Sequence, residues 1–342
     1  MASKKHARKE FDWRSYSRPT RILDDQQEAA LSQGHLAPLL EYAASHPDLT
    51  LLIRARQATL YYLGVSLVRM RASEDGPVGE IDANLRAPRA ERSASELIES
   101  FPLRDAGDVA SLIRTLDSLR EDLDRWNANG EPSPAREHLL RFYADNRGRE
   151  AESGELLVLD VEYPYGRGRF DFVALRRAVS VGGTGAFTTP RLVLGDLRYP
   201  GRTLGGSARM SDFASSASEL AHALSGEHLE RVKAEIGLLL RQKQRLGLLR
   251  TDIPFERFAD GDPELLVVFS DPDVVDAKFD APVAELHDKL IAKRFPADRL
   301  AFAAVGEARE NAESADRVDL TVREADVFDY RAFKGMRKRR RG

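Results

Sequence analysis

Residues 155–177, ELLVLDVEYPYGRGRFDFVALRR, and residues 190–201, PRLVLGDLRYPG, are separated by a Gly-rich break. Their apolar runs are short, rich in β-branched and aromatic residues, and bounded by Gly and Pro. That pattern predicts strands over 155–163, 169–176 and 191–199. GRFDFVAL presents Asp171, and LVLGDLRYP presents Asp196 and Arg198. Strand side chains alternate with period two, so Arg198 shares a face with Asp196 and Leu197 takes the other. Two carboxylates and a cation delivered by neighbouring strands suit Mg²⁺-assisted phosphodiester chemistry. The metal takes hard oxygen ligands and neutralises charge on the reacting phosphate.

Outward from these strands the pattern changes. NGEPSP (129–134) reads as a linker, with Ser133 placed to cap and Pro134 to start a helix over AREHLLRFYADNRG. SDFASSASELAHAL and EHLERVKAEIGLLLRQKQRLGLL read as helices. Leu238, Leu239, Leu240, Leu246 and Leu248 in the second serve as core, or as a dimer face. ELLVVFSD (264–271) reads as a buried strand, AELHDKLIAKRF as helix and RLAFAAVGE as strand. The order from 134 predicts a mixed sheet with helices on its faces, an α/β or α+β core.

Upstream, 24–46 reads as one helix ended by Pro47-Asp48, and LTLLIRARQATLYYLGVSLVRMR as two or three strands with a turn at Gly64. Residues 72–95 read as a loop, and 107–126 as a helix with Val109, Leu112, Ile113, Leu116, Leu119 and Leu123 on one face. The predicted organisation is a basic arm (1–20), an N-terminal α/β module (21–128), a core (129–312) and a C-terminal segment with a basic tail (313–342).

Of 342 residues, 42% are hydrophobic and 31% charged, enough to bury a sizeable core. No apolar run is long enough to span a bilayer, and MASKKHARKE carries no secretory signal. The absence of cysteine excludes disulfides, Cys-zinc sites and thiol catalysis, and fits a cytoplasmic setting. At net charge −3 the whole chain is no basic coat for nucleic acid. Contact must come from local patches such as Lys4, Lys5, Arg8 and Lys9, or Lys338, Arg339, Arg340 and Arg341.

The acids FD and D-x-R, with a helix and strand before them, resemble the PD-(D/E)XK nuclease superfamily over roughly 134–220. GRFDFVAL followed by LVLGDLRYPG is similar to the strand pair of its restriction- and defence-type members. The resemblance implies a restriction-endonuclease-like core with Asp171, Asp196, Arg198 and Glu137 as its catalytic set, and Glu162, ending the first strand, is placed to complete the acidic pocket. It also implies Mg²⁺ or Mn²⁺ held by Asp171 and Asp196, to which the Leu197 carbonyl is placed to add an oxygen, and hydrolysis of nucleic acid, DNA in preference to RNA. Arg167 and Arg169, beside Asp171, are placed to hold phosphates, with Lys338, Arg339 and Arg340 adding charge.

The sequence departs from the family at Arg198, where Lys is usual. A guanidinium does not give up its proton near neutral pH, so it cannot serve as a base, although it can stabilise charge. Two expectations follow. One is a metal-dependent nuclease, with phage defence or restriction as its implied setting. The other is an inactive pseudo-nuclease that binds nucleic acid or acts as a scaffold. The N-terminal module is expected to mediate a homodimer or engage a partner protein, without a membrane.

Overall fold

A computed structural model describes residues 21–54, 56–74, 76–87, 97–128, 135–147, 156–166, 168–176, 189–198, 217–249, 255–261, 263–270, 280–305, 320–323 and 327–332. The fold is α/β, built on two sheets. None of the helices among the described residues is long and apolar enough to cross a membrane.

The first sheet is an antiparallel meander in the order β1 (Leu49–Arg54), β2 (Gln57–Tyr62), β3 (Val65–Ser73), β4 (Gly76–Asp82) and β5 (Ile98–Pro102). The connections β1–β2, β2–β3 and β3–β4 are two residues each, short enough to pin the register. Between β2 and β3, Tyr62 pairs with Val65, leaving Leu63 and Gly64 at φ 47° and 79°. Two positive φ angles give the twist that a two-residue hairpin needs. A Cβ at Gly64 would also stand 2.5 Å from the Glu137 backbone nitrogen, so this turn abuts the next helix.

The expected single helix over 24–46 is two helices, α1 (Asp25–Ser32) and α2 (Ala37–Ser45). Asp24 and Gln27 form a reciprocal capping box at the start of α1. Pro38 favours a fresh start in the first turn of α2. The expected loop over 72–95 contains β4, because alternation over a polar sequence buries only Gly79 and Ile81. Helix α3 (Ala106–Ala128) lies on this sheet through Val109, Leu112, Leu116, Leu119 and Leu123, all buried.

The second sheet has the order β11-β10-β9-β8-β7-β6. After α4 (Ala135–Asp145) come β6 (Leu156–Tyr165), β7 (Gly168–Arg176) and β8 (Arg191–Arg198), paired antiparallel. Helices α5 (Ala217–Ala223) and α6 (Gly226–Arg245) lead to β9 (Glu264–Phe269), parallel to β8. Helix α7 (Asp280–Ala292) leads to β10 (Leu300–Ala304), parallel to β9. The last strand, β11 (Val327–Asp329), pairs antiparallel with β10, so part of the segment expected beyond the core belongs to the sheet.

Each face of this sheet has its own apolar cluster. Val158, Phe172, Val193 and Leu197 meet Leu139, Leu140, Phe142 and Tyr143 of α4. Leu159, Val173, Leu194 and Val267 meet Leu229, Val232, Ile236, Leu239 and Leu240 of α6. Leu238, expected in that core, is 47% exposed, because its position on α6 turns away from the buried stripe. Gly195 is required by packing. The Phe172 ring lies over it, and a Cβ there would come within 1.9 Å of Cζ.

Candidate functional site

Among the described residues, the buried aspartates of this sheet fall into two groups. The first is the predicted one. The β7–β8 ladder ends at Phe172↔Gly195, and one further step sets Asp171 across from Asp196. Here the strands part. Asp171 Oδ2 accepts a hydrogen bond from the Leu197 amide at 3.1 Å, a backbone donor that points between the strands. Two residues on from Asp196 along the same face, Arg198 Nη2 is ion-paired with Asp196 Oδ2. The side chains of that pair are 2% and 3% exposed, and Asp171 is equally buried. In such surroundings the guanidinium and carboxylate are worth much more to each other than at a surface, and separating them leaves a costly bare charge.

The other predicted acids go elsewhere. Glu162 stands at φ 55°, a conformation non-glycine residues seldom adopt, while the register of β6 on β7 is the same on either side of it. Its Oε1 accepts from Arg169 Nη1 at 2.9 Å and from Arg136 Nη2 at 3.2 Å. Glu137 lies in the first turn of α4 and pairs with Arg141 at 3.4 Å. Burial raises its pKa, with Arg141 opposing. Helix α4 covers the face of Phe172 and Leu197, opposite to the one that alternation gives Asp196 and Arg198. Arg167, Lys338, Arg339 and Arg340 lie outside the described residues, as do the Gly-rich stretches 182–185 and 204–210.

The chemistry open to this set follows from its charge balance. Mg²⁺ takes near-octahedral oxygen ligands, among them one or two carboxylates. Asp171 and Asp196 are the right donors in kind. As placed, however, Asp196 is already neutralised by Arg198, and Asp171 is engaged by a backbone amide. Among the described residues no three His, Asp or Glu side chains are grouped to hold a metal. The residues present therefore fit a buried ion pair better than a resident divalent cation.

Two further side chains frame the end of β8. The Ser270 amide, just past β9, donates to the Arg198 carbonyl at 2.7 Å. Ser270 Oγ is 2.8 Å from His138 Nε2 on α4. This link ties α4 to the strand end that carries Arg198. A lone His beside Glu137 on a helix gives no sequence signal for it.

The second group was not read from the sequence. Asp160 is fully buried on β6 beside a bulge in its pairing with β7. Arg21 Nη1 lies 3.0 Å from its Oδ2, Arg54 Nη1 2.5 Å from its Oδ1, and Lys243 Nζ 4.0 Å from its Oδ1. Burial alone would raise the pKa of this carboxyl, but Arg54, Arg21 and Lys243 outweigh it and hold the pKa below the ordinary value. The same cations serve the free edge of β6. Arg21 also donates to the Val161 and Glu162 carbonyls at 3.4 and 2.5 Å, and Lys243 donates to the Leu159 carbonyl. An open strand edge is a pairing hazard, and here side chains from the segment before α1 and from α6 occupy it.

No protein-family model, curated protein or solved structure matches the chain.

Proposed function

We propose that this chain is a nuclease-like protein, related in plan to the PD-(D/E)XK superfamily, that binds nucleic acid without hydrolysing it. The plan is supported by the order of elements: one helix, three antiparallel strands and then a parallel strand, with the acids on adjacent β7 and β8. The observation that carries the non-hydrolytic reading is the buried Asp196–Arg198 ion pair. It puts a permanent cation against the carboxylate that would otherwise bind metal, and that cation cannot take a proton from water.

Nucleic-acid contact rests on charge. Arg136 and Arg169 meet at Glu162 with 42% and 41% of their side chains exposed, and Arg169 is two residues from Asp171. Such guanidinium groups suit phosphate oxygens. The basic residues at both ends of the chain add to the attraction, and binding of this kind weakens steeply with salt. Restriction or phage defence is the setting that the family resemblance implies.

The test is incubation of plasmid, single-stranded DNA and RNA with Mg²⁺ or Mn²⁺, beside a mobility-shift titration. The expected outcome is salt-sensitive retention of nucleic acid with no cleavage. One feature favours metal-dependent hydrolysis instead, the parting of β7 and β8 beside Asp171. Cleavage abolished by EDTA and by Asp171→Ala would establish that reading and sink ours.

A further inference from the structure

The edge of β6 gathers positive charge in a chain whose net charge is −3. Arg21, Arg54 and Lys243 stand at Asp160, and Arg136 and Arg169 at Glu162. Even with Glu235, which accepts from the Tyr163 hydroxyl at 3.0 Å, cations outnumber carboxylates here. The first three cations are turned inward, with side chains 13% exposed or less. Arg136 and Arg169 are the outward pair.

Glu162 is the acid that the outward pair shares. Its side chain is 14% exposed, so it lies behind the two guanidinium groups. Its Oε1 accepts from Arg136 Nε and Nη2 at 3.3 and 3.2 Å and from Arg169 Nη1 at 2.9 Å. Two separate elements, the first turn of α4 and the start of β7, thus aim cations at one oxygen. Arg136 also lies over the Tyr61 ring, 5.8 Å from its centroid, which positions the guanidinium without using its donors. Arg136 Nη1 and Arg169 Nε and Nη2 have no hydrogen-bond partner among the described residues, which leaves donors for a second oxyanion. The backbone holds Glu162 in its unfavoured conformation while Val161 and Tyr163 stay in register and Arg21 grips its carbonyl. Strain of this kind gathers at functional sites.

We propose, resting on the reading that the core binds nucleic acid, that Arg136 and Arg169 form a subsite for one backbone phosphate and that Glu162 is its built-in competitor. The carboxylate stands where a phosphate oxygen would be held. Ion pairs with exposed partners hold weakly, so a phosphodiester arriving from solvent displaces the acid. The contact is autoinhibitory, and it lowers the affinity for nucleic acid.

The test is fluorescence anisotropy of a labelled single-stranded DNA, titrated with the full-length protein over a series of salt concentrations. Glu162→Gln should tighten binding about five- to ten-fold at about 50 mM salt and steepen the salt dependence of log K by about 0.7, the worth of one further phosphate on a single strand. Glu162→Gly, which suits the positive φ, should do the same if glutamine disturbs the strand. The gain should vanish when Arg136 and Arg169 are both changed to Gln. Glu80→Gln, which releases Arg71 on the N-terminal sheet, should leave binding unchanged. Wild-type binding that neither Glu162 variant tightens would overturn the proposal and leave the binding reading standing. An equal gain in Glu80→Gln, or one that survives loss of both arginines, would also overturn it, because net charge alone would then account for the effect. No binding by the wild type or by any variant would sink the binding reading itself, and the proposal with it.

Discussion

Asp160 and Asp196 are both buried aspartates on the same sheet, two strands apart, yet their surroundings differ. Asp196 is ion-paired with Arg198, two residues away on its own strand. Asp160 has three cations around it, from the segment before α1, from β1 and from α6. A pair closed within one strand is a local device that conceals charge. A carboxylate shared by three distant elements is a fastening that couples the N-terminal sheet to the core. Further bonds join the same parts: Gln242 exchanges hydrogen bonds with both the amide and the carbonyl of Leu23, and Arg245 pairs with Glu28. The two halves read as modules in the sequence are therefore joined through buried polar contacts as well as apolar ones.

The hardest test of this contrast is Asp160→Asn. Removing one charge leaves three cations short of their counterion, and breaking a buried pair costs about 3–5 kcal/mol. Urea unfolding should show a loss at the upper end of that range. In the wild type the depressed pKa of Asp160 implies stability that is full above the unfolded-state value and lost as pH falls through the folded one. Thermal stability should therefore fall below about pH 4, and the variant should lose less over that window. A fully retained acid slope in Asp160→Asn would assign the effect to other carboxylates.

Arg198→Met tests the local pair and should cost about 3 kcal/mol, because the buried Asp196 loses its guanidinium counterion. Its damage should stay within the core and spare the N-terminal sheet, as hydrogen exchange would report. Asp160→Asn should raise exchange in both. Gly195→Ala comes next, at about 1–3 kcal/mol, because the new methyl must displace the Phe172 ring. Equal stability of that variant would show that Phe172 has another rotamer available. The smallest effect is expected of Glu137→Gln. Burial raises the pKa of Glu137, so its favourable contribution is present at low pH and lost as pH rises through the folded-state value. The variant should gain a few tenths of a kcal/mol at pH 7 and none at pH 3, by urea unfolding at each pH.

Much of the fold can be read along the chain. Apolar runs at strand length gave β6 to β10, and helical periodicity gave α3 and α6. Strand β4 escaped because its sequence GPVGEID has no apolar run, and its membership depends on pairing with β3 and β5. The break between α1 and α2 escaped because apolar residues continue across it. In the candidate site, Asp171, Asp196 and Arg198 were legible because alternation and short spacing set them near one another. Glu137 was not placed correctly by spacing alone, since its helix covers the other face.

The sequence by itself determined the α/β class, the adjacent strands with their acids, and the permanent charge at position 198. These follow from side-chain period, turn chemistry and a guanidinium pKa, all local properties. Tertiary structure alone decided which charges neutralise one another. Arg21, Arg54 and Lys243 are separated from Asp160 by 139, 106 and 83 residues along the chain. Their meeting is a product of how the sheets and α6 pack. An aspartate in the apolar run LLVLDVE announces that a buried charge needs a partner, but only the folded chain can say which residues supply it.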